Sequence, residues 1–247
     1  MDASAHTIHQ ALQAVAQLRQ QHLAEPAVTR AGAHIKRFQA RRFQATYADL
    51  LHSPRYKMAA TFFLHELYSD KNYAERDQQF ARIASTIARL FPQTVVNTAA
   101  ALAEVHALTE KLDDQMARQW LADERAMPDS DACARYIRCW RGVGGAAGRH
   151  QQLEVVLHLG QELNRLTRTP GLRSLLKMMR RPAAAAGLTA LQQFLEAGFD
   201  AFANMRGAGE FLRVIEQRES EWIRSLFDDD AVACETKLTH LLAVAPA

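Results

Sequence analysis

The chain has 247 residues, 48% of them hydrophobic and 23% charged, with 30 basic side chains against 27 acidic ones. That is enough apolar material for an ordinary core, so neither a metal nor a disulfide is required simply to fold. A net charge of +3 does not by itself mark a nucleic-acid binder, and no uninterrupted apolar run approaches the roughly 18 residues of a membrane-spanning helix.

The amino-terminal segment lacks the basic-then-apolar order of a signal peptide. Three cysteines, Cys133, Cys139 and Cys234, form no Cys-x-x-Cys pair, which implies reduced thiols and a cytoplasmic protein. Read in chain order, prolines and glycines punctuate a series of helical patterns. The first helix is predicted over residues 5–24, where Ile8, Leu12, Val15 and Leu18 share a face, and Pro26 ends it. The second is predicted over 28–51. Ser53-Pro54 reads as a cap with proline at the first helical position, opening a third helix that ends near residue 68. A fourth runs over 72–90.

The fifth, over 92–122, is the longest, a rod of about 45 Å. Asp129, Ser130 and Asp131 cap a sixth helix carrying Tyr136, Ile137 and Trp140. Gly142, Gly144 and Gly145 form a hinge before a seventh at 146–166. They do not make a phosphate loop, since no strand precedes them. A short helix at 172–179 ends at Pro182. A ninth spans 183–205, with Gly198 on its apolar face. Two more follow, one around Phe211 to Leu226 and one after residues 228–230. No segment shows strand alternation. The expected fold is a compact all-α bundle of about ten helices around a long central one, forming a single domain over residues 1–247 with a possible lobe boundary near 122–131.

The most informative stretch is residues 61–77, TFFLHELYSDKNYAERD. Phe63 and Leu67 point the same way, Glu66 lies to one side of them, and His65 faces outward. After a break at Ser69-Asp70, Asp77 falls beside Tyr73 and Phe80 and draws Arg76 inward with it. Acids on apolar faces must be paired, protonated or put to use. Glu66 and Asp77 therefore either line a pocket or form an internal ion pair with arginine. On the fifth helix, His106 and Asp113 share a shoulder of the apolar stripe, and Glu110 is one turn from His106. Arg141 and Arg149 are inward cations that could pair with Glu66 or Asp77, as could Glu219 from the acidic side. The candidate site is thus Glu66, Asp77, Arg76, His106, Asp113, Arg141 and Arg149.

No catalytic residue, metal or cofactor is assigned. Glu-x-x-His, the helical di-metal signature, does not occur. The ladder of His150, Glu154, His158 and Glu162 drifts away from the apolar face and reads as exposed pairs. Arg30, Lys36, Arg37, Arg41 and Arg42 read as a solvated face of the second helix rather than a nucleic-acid surface. Lys177, Arg180 and Arg181 complement a helix end.

At residues 62–68, FFLHELY, the chain resembles the uncharacterised bacterial proteins known by their FFLEELY motif. The similarity continues through Tyr73 to Asp77, through LAEVHALTEKLDD at 102–114, and into GLTALQQFLEAGFDAF at 187–202. His65 departs from the motif's first glutamate, and Glu66 keeps the second. The resemblance implies a bacterial source and one full-length family domain, and it names no substrate. Three classes of function follow. The leading one is a non-enzymatic interaction or regulatory module with a protein partner. The alternative is a bundle with an internal metal, cofactor or small-ligand pocket lined by Glu66, Asp77 and His106. Nucleic-acid binding ranks last.

Overall fold

The computed structural model describes residues 3–66 and 68–243, and the direction inferred for Leu67 lies outside them. The described residues form an all-α bundle of thirteen helices with no strand. In order these are α1 (Ala3–Ala24), α2 (Pro26–Thr46), α3 (Ala48–His52), α4 (Lys57–Glu66), α5 (Ala74–Leu90), α6 (Gln93–Ala126), α7 (Ala132–Val143), α8 (Ala146–Leu166), α9 (Leu172–Met178), α10 (Arg180–Ala185), α11 (Thr189–Asn204), α12 (Gly209–Asp228) and α13 (Ala231–Ala243). None is long and apolar enough to cross a membrane.

Where the count exceeds ten, local chemistry explains it. The second predicted helix breaks at Tyr47, which leaves helical geometry as its ring is fully buried and its hydroxyl donates to Glu219. Ser53 does not cap α4. It closes α3, and its carbonyl accepts the N–H groups of Tyr56 and Lys57, so α4 starts only at Lys57. Pro182 does not end a helix either. It is the third residue of α10, in a first turn whose N–H groups have no intrahelical acceptor, so its missing donor is harmless. Gly187, at φ 65°, follows α10 in the left-handed region that glycine adopts most cheaply. The seventh predicted helix matches α8 at both ends.

The long helix α6 has 34 residues, a rod of about 51 Å. It packs against α1, α2, α7 and α8 and serves two apolar clusters. Near its start, Ala100 and Ala103 join Ile8, Ala11 and Leu12 of α1 and Phe80 and Ala84 of α5 in a smaller cluster. Near its end, Met116, Ala117 and Trp120 join a larger one built from α2, α4, α7, α11, α12 and α13. The middle of α6, around His106 to Asp113, carries the polar residues between them.

Candidate functional site

A cavity of about 120 Å³ lies beside the middle of α6. Its walls come from α2 (Lys36, Gln39, Arg42), the α4–α5 region (Phe63, Glu66, Tyr68, Ser69, Tyr73, Arg76), α6 (Val105, His106, Thr109, Glu110, Asp113), α7 (Tyr136, Trp140), α8 (Arg149, Gln152, Val156), α11 (Phe194) and α12 (Ile215, Glu219, Ile223). Four cations, Lys36, Arg42, Arg76 and Arg149, face it alongside four acids, Glu66, Glu110, Asp113 and Glu219. Tyr136, Trp140, Arg42, Arg149 and Glu219 make a buried deep wall, whereas Glu66, Ser69, Tyr73 and Gln152 are half-buried.

The turn that places Glu66 and Arg76 is stitched by its own hydroxyls. Those of Ser69 and Tyr73 lie 2.6 Å apart, and both reach the carbonyl of His65 at 2.8 Å. His65 itself is exposed. Asp77 is buried, at 4% side-chain exposure, and sits just behind the cavity wall. It accepts from Arg19 of α1 at 2.6 Å, from Arg76 at 3.0 Å and meets His106 Nε2 at 2.8 Å. Burial alone would raise its pKa. His106, Arg76 and Arg19 outweigh that and hold the carboxyl well below the ordinary carboxylate range. Arg76 also lies 3.8 Å from Glu66, so one guanidinium sits between the two acids of the opening stretch. Its charge stacks over Tyr73 at 4.2 Å and Phe194 at 4.8 Å. Glu66 is held more loosely, with exposed Lys71 at 3.3 Å.

The remaining acids find partners elsewhere. Glu110 accepts from Lys36 at 2.8 Å, not from His106 one turn away. Glu219 receives both Arg42 nitrogens, at 3.2 and 2.8 Å, and the Tyr47 hydroxyl at 2.9 Å. Asp113 is the exception. Among the described residues it accepts one side-chain hydrogen bond, at 3.3 Å from Gln39, with Lys36 at 3.9 Å, and its burial pushes its pKa up. Arg149 is 7% exposed and donates to Gln152 at 3.2 Å, with its charge 4.5 Å from the Trp140 ring. Among the described residues no carboxylate lies within ion-pairing distance of it.

The structure therefore gathers Glu66, Arg76, His106, Asp113 and Arg149 around one cavity, with Asp77 immediately behind. It does not bring Arg141 there. Arg141 donates to the carbonyls of Leu226 and Asp229 at the end of α12, and so serves that helix's C-terminus. Neither Arg149 nor Glu219 pairs with Glu66 or Asp77. Lys36 and Arg42 are not on a solvated face, because both turn inward to acids, while Arg30, Arg37 and Arg41 are exposed. A signal for Arg42 exists in the sequence. It lies seven residues after Ile35 and four after Phe38, on the apolar face. Among the described residues no group of three or more His, Cys, Asp or Glu side chains is arranged to hold a metal ion.

Four buried polar atoms of the described residues have no hydrogen-bond partner: Arg42 Nε, Arg135 Nε, Tyr136 Oη and Trp140 Nε1. Three of them belong to residues of the deep cavity wall. Buried polar groups left unpaired are rare and costly, so their concentration here singles the cavity out.

Residues 18–233 match a domain of unknown function, DUF8198. No curated protein and no solved structure matches the chain.

Proposed function

We propose that this chain, which belongs to the DUF8198 family of unknown function, is a binding protein that takes a small organic molecule into the cavity beside α6. The observation that carries this reading is the buried wall: Tyr136 and Trp140, each with an unpartnered polar atom, and a buried Arg149 with no carboxylate at ion-pairing distance among the described residues, all belonging to the lining of a space large enough for several waters. A fold needing only internal clasps would close such groups on one another. Glu66 and His106 belong to the less buried side of the cavity and Asp77 braces it, which supports the small-ligand form of the internal-pocket reading.

A non-enzymatic regulatory role fits the same site, with occupancy of the cavity as the signal passed to a protein partner. The bacterial source, the cytoplasmic location and kinship with FFLEELY-motif proteins belong to this proposal as readings of the sequence.

The test is saturation-transfer NMR of the full chain against a panel of small neutral and charged molecules, repeated on Val156→Phe. Val156 lines the cavity, and phenylalanine there fills part of it. Binding to the native chain that weakens at least tenfold in the variant supports the reading. A panel that never binds, or binds both proteins equally, overturns it.

A further inference from the structure

The unmet hydrogen-bonding capacity of the cavity wall is mostly of the donor kind. The indole N–H of Trp140 and the Nε–H of Arg42 are donors, and the Tyr136 hydroxyl is a donor as well as an acceptor. Tyr136 and Trp140 are neighbours, with ring centroids 6.0 Å apart, and the indole lies near enough to offset part of the upward push of burial on the phenol's pKa while falling short of hydrogen-bond geometry. A small rotation letting the indole donate to the phenol would still leave the phenolic proton without an acceptor. Arg149 adds a guanidinium whose only side-chain acceptor among the described residues is Gln152. These donors suit a partner that accepts, and the Arg149 guanidinium suits one that carries negative charge.

The charges narrow the class further. Lys36, Arg42 and Arg76 are already committed to Glu110, Glu219 and the Glu66–Asp77 pair. Arg149 is the cavity cation with no direct ion pair among the described residues, although its charge is felt by buried Asp113, and a single cation matches a monoanion better than a doubly charged phosphate. A planar guanidinium fork meets a carboxylate with two parallel hydrogen bonds. Phe63, Val105, Val156 and Ile215 offer the rest of the molecule an apolar surround.

The geometry points to a small monocarboxylic acid as the ligand of this cavity, its carboxylate held by Arg149 with the Tyr136 hydroxyl and the Trp140 indole donating to it, and its hydrocarbon part lying against the apolar wall. This rests on the small-ligand reading above and adds the chemical class. Asp113, which lines the same cavity and feels the charges of Lys36 and Arg149, is the one acid there whose burial shifts it towards the neutral form, which lowers repulsion of an incoming anion.

The test is calorimetric titration of the full chain with benzoate, butyrate, the neutral counterpart benzamide, and inorganic phosphate. It is repeated on Tyr136→Phe and Arg149→Gln, with melting temperatures measured without ligand. Tyr136→Phe removes a hydroxyl that bonds nothing, so it leaves the ligand-free melting temperature unchanged or raised while weakening carboxylate binding at least tenfold. Arg149→Gln weakens it further. Benzamide binds at least tenfold more weakly than benzoate.

The inference is overturned if benzamide binds as well as benzoate, or if phosphate binds more tightly than either acid. It is also overturned if Tyr136→Phe lowers the ligand-free melting temperature with no change in binding, the mark of a hydroxyl satisfied by buried water. Neutral probes that bind native chain but not Val156→Phe leave the proposed function standing and remove only the carboxylate. No binding by any probe removes both.

Discussion

Asp77 and Glu66 look alike in the sequence, two acids on apolar faces eleven positions apart, yet their surroundings predict different costs on neutralisation. Asp77 is buried under contacts from Arg19, Arg76 and His106, and Asp77→Asn leaves those cations facing a neutral amide. Breaking a buried ionic cluster on one side costs about 3 kcal/mol or more. Glu66 is half-buried, with one exposed lysine and one distant arginine, and Glu66→Gln is expected to cost about 1 kcal/mol or less. Urea denaturation of both variants checks the difference, and equal losses would refute it.

The pH dependence follows from the same contacts. The folded-state pKa of Asp77 is depressed below its unfolded value of about 3.9, so its contribution is present above that pH and is lost as pH falls towards the folded value. The native chain should lose stability below about pH 4, and Asp77→Asn should flatten that acid limb. The position of Asp77 was legible because an acid beside Tyr73 and Phe80 has to be paired. Its partners were not. Arg19 and His106 lie 58 and 29 residues away, and helix periodicity carries no information about which faces of different helices meet. The cavity's deep wall stayed hidden for the same reason. Tyr136 was legible as a residue of the sixth helix, but that its hydroxyl goes unpaired depends on the other helices packed around it.

At the scale of the elements, glycines show how tightly the helices close around the site. A Cβ at Gly160 of α8 would come within 2.5 Å of the Leu212 side chain on α12, and one at Gly198 of α11 within 3.1 Å of Phe62 on α4. Gly148, in the first turn of α8, has only Leu112 at 3.8 Å, an ordinary contact. Gly160→Val is therefore expected to destabilise by about 2 kcal/mol through overpacking. Gly148→Ala is expected to stabilise by up to about 1 kcal/mol through helix propensity. Thermal melts of the two variants should move in opposite directions.

Helix existence was legible almost throughout, because proline, glycine and apolar spacing act locally. The ends of α8 were read to the residue, and the apolar placement of Gly198 anticipated its close approach to α4. Breaks imposed from elsewhere were not legible. Tyr47 interrupts the α2–α3 run as Glu219, 172 residues on, takes up its hydroxyl. Pro182 reads as a terminator by its chemistry, but a proline in a first turn terminates nothing.

At the scale of the whole molecule, α6 passes unbroken from the smaller apolar cluster through the polar middle into the larger one. We read the chain as one domain, since contacts from Asp77 and from Lys36 to Glu110 tie α1, α2 and α5 to that polar stretch. The expectation is a single cooperative unfolding transition. All three tryptophans, Trp120, Trp140 and Trp222, belong to the larger cluster, so their fluorescence reports that cluster alone, whereas circular dichroism reports every helix. The two signals should coincide in urea. Helicity lost ahead of fluorescence would mean that the α1–α5 cluster melts by itself.

The same architecture gives the two-glycine turn between α7 and α8 a further part to play. Gly144 and Gly145, at φ 68° and 82°, join the helix that carries Trp140 to the helix that carries Arg149. The indole and the guanidinium face each other across that corner at 4.5 Å. The corner thus works as a caliper. Under the proposed function, its opening angle would set the gap between the two sides of that wall, and so the size of the molecule the cavity takes, through two residues outside the cavity lining.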